Sequence, residues 1–329
     1  MNQTMMGILQ KAQTKSLFYY GVTIAFLAYT HPAQAQQQWY TGSLVSPASA
    51  KDHAGDAGIE PYYTYSQPIG YYDAHGISHP QHPRQQLFSN STMWKYGITD
   101  YLSIQAHTVI SYGWKRNAGH SSGPKFGDFP VDLIWRFLNP DPKRYIPGLN
   151  LFAGVVFPTG DYSRLGHGQD GVGAGSYVFR TALLSQSTYQ LPGHHALRLR
   201  VWNWFRRALN AAALRDTTSY GTMAGFRGKG RPGMSGQTGF SLEYGVNRQW
   251  VLAVDVARDW ANGSRVWGHT RTGQYMDRTG SSSGDWQVAP ALEYNWNARW
   301  GVIAGASVYY AGHNTSVKIA PQVAINTVF

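Results

Sequence analysis

The sequence predicts an all-β fold, a transmembrane antiparallel up-and-down β-barrel of about twelve strands, and three observations carry that prediction. Strand-length segments alternate apolar and polar residues with a period of two, which gives each strand one apolar and one wet face. Tight turns alternate with long loops rich in Gly, Ser and Arg, the asymmetry of barrels that cross a bacterial outer membrane. The 329 residues include 37 Gly, 22 Tyr, 12 Trp and 13 Phe, and 43% are hydrophobic, yet mean hydropathy is −0.36. Such a balance arises when only alternate residues of each strand need to be apolar.

Residues 1–35 read as a cleaved signal peptide. Lys11 and Lys15 form a basic region, 16–29 is mostly apolar, and Ala33-Gln34-Ala35 is a small-residue cleavage signature. The apolar run is too short for a spanning helix and no second long one follows. Absence of cysteine excludes disulfide staples in an exported chain. The formal charge is +11, with two of the cations in the leader. In an exported chain this points to lipopolysaccharide phosphates at a barrel rim and to a polar lumen, and away from nucleic acid. Residues 36–58 lack periodicity and read as a periplasmic lead-in, leaving 59–329 for the barrel.

The strands follow in order. Ile59, Pro61, Tyr63 and Tyr65 alternate with Glu60, Tyr62 and Thr64; a loop rich in Gly, Pro, Asp and His covers 68–86. Phe88, Asn90, Thr92, Trp94 and Tyr96 share a face of the next strand. After Gly97-Ile98-Thr99-Asp100, a run from Leu102 to Tyr112 alternates with Ser103, Gln105, His107 and Ser111. Phe129, Val131, Leu133, Trp135 and Phe137 oppose Asp128, Pro130, Asp132 and Arg136. Strands are expected again over 149–157, 173–187 and 196–205. Residues 206–235 form the longest interruption, with Ala211-Ala212-Ala213 as a short helix. Phe240, Leu242 and Tyr244 mark the next strand; Trp250 to Val256 follows a tight turn at 245–248. A polar loop over 260–284 precedes Trp286 to Tyr294, and Val302 to Val308 follows a turn at 296–299. The last strand, 316–329, alternates Val317, Ile319, Pro321, Val323, Ile325, Thr327 and Phe329 with polar or small residues. Pro130, Pro290 and Pro321 each remove a ladder donor and call for a bulge or strand end.

A final Phe at the end of an alternating strand resembles the signal by which outer-membrane barrels engage the barrel-assembly machinery, so Phe329 is a candidate contact for it. Gly97-Ile98-Thr99-Asp100-Tyr101-Leu102, Gly127-Asp128-Phe129 opening a strand, and Phe157-Pro158-Thr159-Gly160 closing one resemble the outer-membrane transporter family named after the meta-pathway of phenol degradation. The resemblance covers most of the mature chain. It implies a transport barrel associated with aromatic or other hydrophobic compounds and brings no catalytic residues.

The alternation turns Asp128, Asp132, Arg136, Arg198, Arg200, Glu243, Asp255, Glu293 and Lys318 toward the lumen. Inward charges select solutes in pores; they also follow simply from the roughly 2–4 kcal/mol cost of a charge facing lipid. Trp202 and Trp204 share that face, as lining for an apolar solute or as filling. Trp94, Tyr96, Tyr101, Trp250, Trp286, Tyr294 and Trp300 are placed beside the short turns as an interfacial girdle. His75, His79 and His82 with Asp73 match no fixed metal-site spacing, and His194-His195 rates no higher. Ser103, Ser111 and His107 lie on one face, but nucleophilic catalysis needs a base in contact and a third orienting group. Gly228-Lys229-Gly230-Arg231 lacks the strand and helix of a phosphate loop. The reading is therefore no enzyme, no metal and no cofactor. It is a channel or facilitator for passive uptake of small, hydrophobic or aromatic solutes, with a non-conducting barrel acting through its extracellular loops as the alternative.

Overall fold

The computed structural model describes residues 38–80, 85–116 and 119–329; the leader expected over 1–35 and His82 lie outside the described residues. Twelve long strands among them close into one antiparallel barrel: β1 (Ala57–Tyr72), β2 (Gln85–Gly97), β3 (Leu102–Lys115), β4 (Phe129–Leu138), β5 (Gly148–Phe157), β6 (Val178–Gln190), β7 (Ala196–Ala208), β8 (Ser235–Gly245), β9 (Trp250–Ala261), β10 (Ser283–Asn295), β11 (Trp300–His313) and β12 (Thr315–Val328). Each pairs with its successor and β12 pairs back onto β1, so no open edge remains.

The alternation decides which side each residue takes. Leu133, Trp135, Leu183, Val201, Leu252 and Ile325 are exposed on the outside, whereas Asp132, Glu243 and Glu293 are 0% exposed inside. Short turns join one end of the barrel. Asn247 Oδ1 accepts from the N–H groups of Gln249 and Trp250, Asn297 Oδ1 from those of Arg299 and Trp300, and Thr99 Oγ1 from those of Tyr101 and Leu102. These side chains mimic a backbone turn. At the opposite, long-loop end β11 returns directly into β12 through Asn314 at φ 49°, a left-handed position that Asn tolerates.

Pro130 stands second in β4, at a strand end, whereas Pro321 lies in the middle of β12 with an unbroken register against β11. Pairing of β10 with β11 skips Ala289 and Pro290, and a bulge follows Trp286. Exposed Trp94, Tyr96, Tyr101, Trp250 and Trp300 do ring the short-turn end. Trp286 does not join them: it lies three residues into β10 from the long-loop end, because that strand runs toward the short turns. The strand expected over 173–187 runs instead over Val178–Gln190.

Two features depart more deeply from the expectation. Residues 38–56, expected as a periplasmic lead-in, contain no strand or helix and run inside the barrel, with Gln38, Thr41, Ser43, Leu44, Ser46 and Ala50 buried. Their lack of periodicity is what frees their backbone N–H groups for the buried carboxylates of the wall. The long loops also carry a second sheet. Ala212–Arg215, Arg227–Arg231, Arg265–His269 and Tyr275–Thr279 pair in that order. Ala212 and Ala213 are therefore strand and not helix, since each gains a cross-strand partner in Gly230 and Lys229.

Candidate transport lumen

The inward charges gather into three groups, two of them hydrogen-bonded to different stretches of the internal segment. At the short-turn mouth Arg136 donates to Asp52 (2.5 Å) and to the Asp100 carbonyl (2.6 Å). Lys51 N–H donates to Ser103 Oγ (2.8 Å), and Lys95 Nζ donates to the carbonyls of Ala48 and Ser49 (3.0 and 2.8 Å). The Ala50 N–H reaches Asn150 Oδ1 at 3.0 Å, and the Ala50 methyl packs with Ile134, Phe152 and Leu184.

The second group crosses the barrel. Arg198 pairs with Glu243, and the Arg200 guanidinium comes within 3.2 Å of Glu243 Oε1 without the alignment of a hydrogen bond. Tyr40 lies over the Arg198 guanidinium at 3.8 Å. Thr41 is held three ways: its N–H donates to Glu293 (2.8 Å), its hydroxyl to Asn295 Oδ1 (2.9 Å), and its carbonyl accepts from Asn326 (3.0 Å). Ser43 Oγ lies 2.6 Å from both Asp255 oxygens, and Val45 N–H donates to the same carboxylate at 3.0 Å. Ser43 Oγ also accepts from the Ser46 N–H at 2.9 Å. Buried carboxylates so supplied with donors avoid the cost of an unpaired buried charge.

In the third group Arg180 grips Asp132 through two nitrogens, a bidentate pair. Gly154 faces this pair with no side chain; a Cβ there would run into the Asp132 carboxylate. The Arg180 guanidinium also lies 4.7 Å from the centre of the Trp204 ring, which meets Phe152 edge-on at 5.2 Å. Trp202 is buried and its indole N–H donates to Gln237 Oε1 (2.9 Å).

Above the internal segment lies a cavity of about 500 Å³, floored by residues 42–48. Its walls mix cations (Arg180, Arg200, Arg206, Lys318) with Glu60, His107, small hydroxyl residues and apolar or aromatic surface from Met93, Tyr62, Trp204 and Tyr309. Lys318 sits over the Tyr309 ring at 4.0 Å.

Of the lumen residues expected from alternation, Asp132, Arg136, Arg198, Arg200, Trp202, Trp204, Glu243, Asp255, Glu293 and Lys318 all turn inward. Asp128 joins none of the three groups. It stands just before β4, where the alternation has not begun, and its carboxylate accepts from the N–H groups of Gly160 and Ala174 (3.0 and 2.8 Å), tying the 158–177 loop. The expectation omitted Arg180, Lys95, Glu60 and Arg206. Lys95 was legible, flanked as it is by outward Trp94 and Tyr96. His107 bonds to Gln105 at 2.9 Å, and Ser103 accepts from Lys51 N–H; neither serine of that strand contacts the histidine. His79 bonds to Asp73 (2.9 Å). Among the described residues no group of three or more His, Cys, Asp or Glu is placed to hold a metal ion.

An apolar outer belt, aromatic rings at its margin and charges confined to the inside define a β-barrel of the bacterial outer membrane. No protein-family model and no curated protein matches the chain. Among solved structures it is similar to the COG4313 outer membrane channel from Pseudomonas putida F1, with a TM-score of 0.60 at 16% identity over 87% of this chain and 100% of that one. It also matches the transport unit of the autotransporter AIDA-I from Escherichia coli (0.46, 10%, 88% and 95%). A third match is the TodX monoaromatic hydrocarbon channel deltaS2 mutant (0.38, 12%, 84% and 89%). At these identities the likeness is one of fold.

Proposed function

We propose that this barrel is a passive outer-membrane channel or facilitator for small solutes, closed at rest on its short-turn side by residues 38–56. The observation that carries this reading is the cavity of about 500 Å³ on the long-loop side of that segment. A space of that size, with apolar and aromatic walls and a few convergent polar groups, suits a small organic molecule. Met93, Tyr62, Trp204 and Tyr309 supply apolar and aromatic lining for an aromatic or otherwise hydrophobic solute, while Arg200, Arg206 and Lys318 orient its polar end. The fold shared with a protein described as an outer membrane channel supports the same reading. No catalytic role is assigned, and transport needs no cofactor.

The alternative, a non-conducting barrel acting through its extracellular loops, draws support from the tight seating of residues 38–56. Outer-membrane lipid and lipopolysaccharide surround either kind of barrel. Phe329, 65% exposed just after β12, is the residue we propose as a contact for the barrel-assembly machinery.

Single-channel conductance of the refolded mature chain in planar bilayers, alone and with phenol or benzoate, tests the proposal. Brief conducting events that an aromatic solute blocks are the expected result. Protein of folded gel mobility that never conducts and admits no solute to the cavity would leave the alternative standing.

A further inference from the structure

The four-stranded sheet of the long loops continues the barrel wall. Ala212–Arg215 leaves β7, Arg227–Arg231 enters β8, Arg265–His269 leaves β9 and Tyr275–Thr279 enters β10, and their order side by side is the order of those barrel strands. One face is covered. Ala212, Leu214, Phe226 and Val266 pack there with Tyr162 and Tyr220, and Ser219 N–H and the Tyr220 hydroxyl bond to the carbonyls of Tyr162 and Ala174. The covering loop, 158–177, reaches on to the loop after β3 through Ser122 to Asp170 and Lys125 to Asp161. Joining β5 to β6, it runs along the rim between the loops on either side; a sheet face buried under neighbouring loops is the inner one, which leaves the open face outward, above the lipid.

The open face is basic in a way that packing does not explain. Arg215 stands directly opposite Arg227, and Arg231 opposite Arg265; like charges so placed are destabilising. Lys229 lies between the two rows. Arg265 is neutralised by a two-point contact with Asp277 (3.0 and 2.7 Å), and Arg231 donates to the Ala208 carbonyl (3.0 Å). Among the described residues no carboxylate or carbonyl reaches the side chains of Arg215, Arg227 or Lys229, and all three are exposed. Trp267 and Tyr275 share the face and give flat surfaces suited to sugar rings.

We propose that this face binds the phosphate groups of lipopolysaccharide in the surrounding outer leaflet. A phosphate between Arg215 and Arg227 accepts from both guanidinium forks and removes the repulsion that the bare pair carries. Charge complementarity argues for a polyanion, and the outward aspect of a wall rising from the membrane surface selects the one within the same leaflet. The inference is independent of whether the lumen conducts.

Purified protein is mixed with phosphorylated lipopolysaccharide and the lipid retained per barrel is measured after gel filtration, at low and high salt. The variant Arg215→Gln/Arg227→Gln/Lys229→Gln is compared with wild type, both shown folded by heat-modifiable mobility. Loss of about tenfold or more in affinity is expected, since three cations are removed from the contact. Arg215→Lys/Arg227→Lys, which keeps the charge, retains most of the binding and separates a charge effect from misfolding. Enzymatically dephosphorylated lipopolysaccharide binds wild type no better than the intact lipid binds the triple variant. Equal retention by wild type and triple variant, or indifference to dephosphorylation, overturns the proposal. So does retention of a soluble sulfated glycan by wild type that fails to retain lipopolysaccharide.

Discussion

Replacing Ser43 by Ala removes a small group from the internal segment and leaves the barrel wall intact. The lost hydroxyl contacts both Asp255 oxygens at 2.6 Å and accepts from the Ser46 N–H at 2.9 Å. A hydrogen bond to a charged group contributes about 1.5–3 kcal/mol and a neutral one about 1, so the segment is held less tightly by about 3 kcal/mol. Each 1.4 kcal/mol is tenfold in an equilibrium constant, and the released fraction should rise roughly a hundredfold. The chain has no cysteine, which allows a clean readout. In an Ala50→Cys background the thiol, buried against Ile134 and Phe152, reacts with a maleimide only when the segment leaves. Adding Ser43→Ala should speed that reaction by about two orders of magnitude while the barrel keeps its folded gel mobility. An unchanged rate would refute the idea that the Ser43 contacts hold Ala50 in place.

Deleting residues 38–52 from the mature chain should convert rare events into steady conductance in planar bilayers; a barrel as silent as wild type would count against the segment as the closure. Asp132→Ala strands a buried Arg180 and should cost about 3–5 kcal/mol, read as a lowered temperature for loss of the folded gel band, whereas Asp132→Leu/Arg180→Met should cost less; equal losses would contradict the assignment. Gly154→Ala presses a methyl on the same pair and should destabilise by about 1–3 kcal/mol, with wild-type stability as the contrary outcome. In the loop after β1, the bond from His79 and the N–H groups of Ile77 and His75 hold the Asp73 carboxyl down at about 2, against an ordinary 3.8. Because the folded value is depressed, the turn's contribution is complete above 3.8 and is lost as pH falls through about 2. A carbon-detected titration of that carboxyl with its midpoint at 3.8 would dismiss the contact.

Legibility in the sequence followed the range of the interactions. Period-two alternation is local, so the barrel and the inward set from Asp132 to Lys318 could be read directly, and Trp202 and Trp204 with them. Strand direction is not local: Trp286 alternates correctly yet lies at the end opposite to the one assigned. The internal segment escaped because its partners, Glu293 for Thr41 and Asp255 for Ser43, lie more than two hundred residues away. A hint was present in its small residues, Thr41-Gly42-Ser43 and Ala48-Ser49-Ala50, which suit a narrow interior. The outer sheet escaped because strands of four or five residues are too short to show a period, and Gly with Arg reads as a loop.

Both ends of the internal segment lie at the same rim. Gln38 bonds to the Arg248 carbonyl and Gly55 to the Gly97 carbonyl, each at a short turn, while residues 42–48 form the far point of the excursion. The segment is therefore a bight of rope pushed into a pipe, and no part of it has to be threaded through to come out. A pull on the Gln38 side would undo the contacts one after another, Thr41 first, then Ser43 and Val45, then Ala50 and Lys51, as a zipper opens, instead of shearing them together. Force applied from the short-turn side is the efficient way to empty this barrel, and pressure from the long-loop side works against the whole row at once.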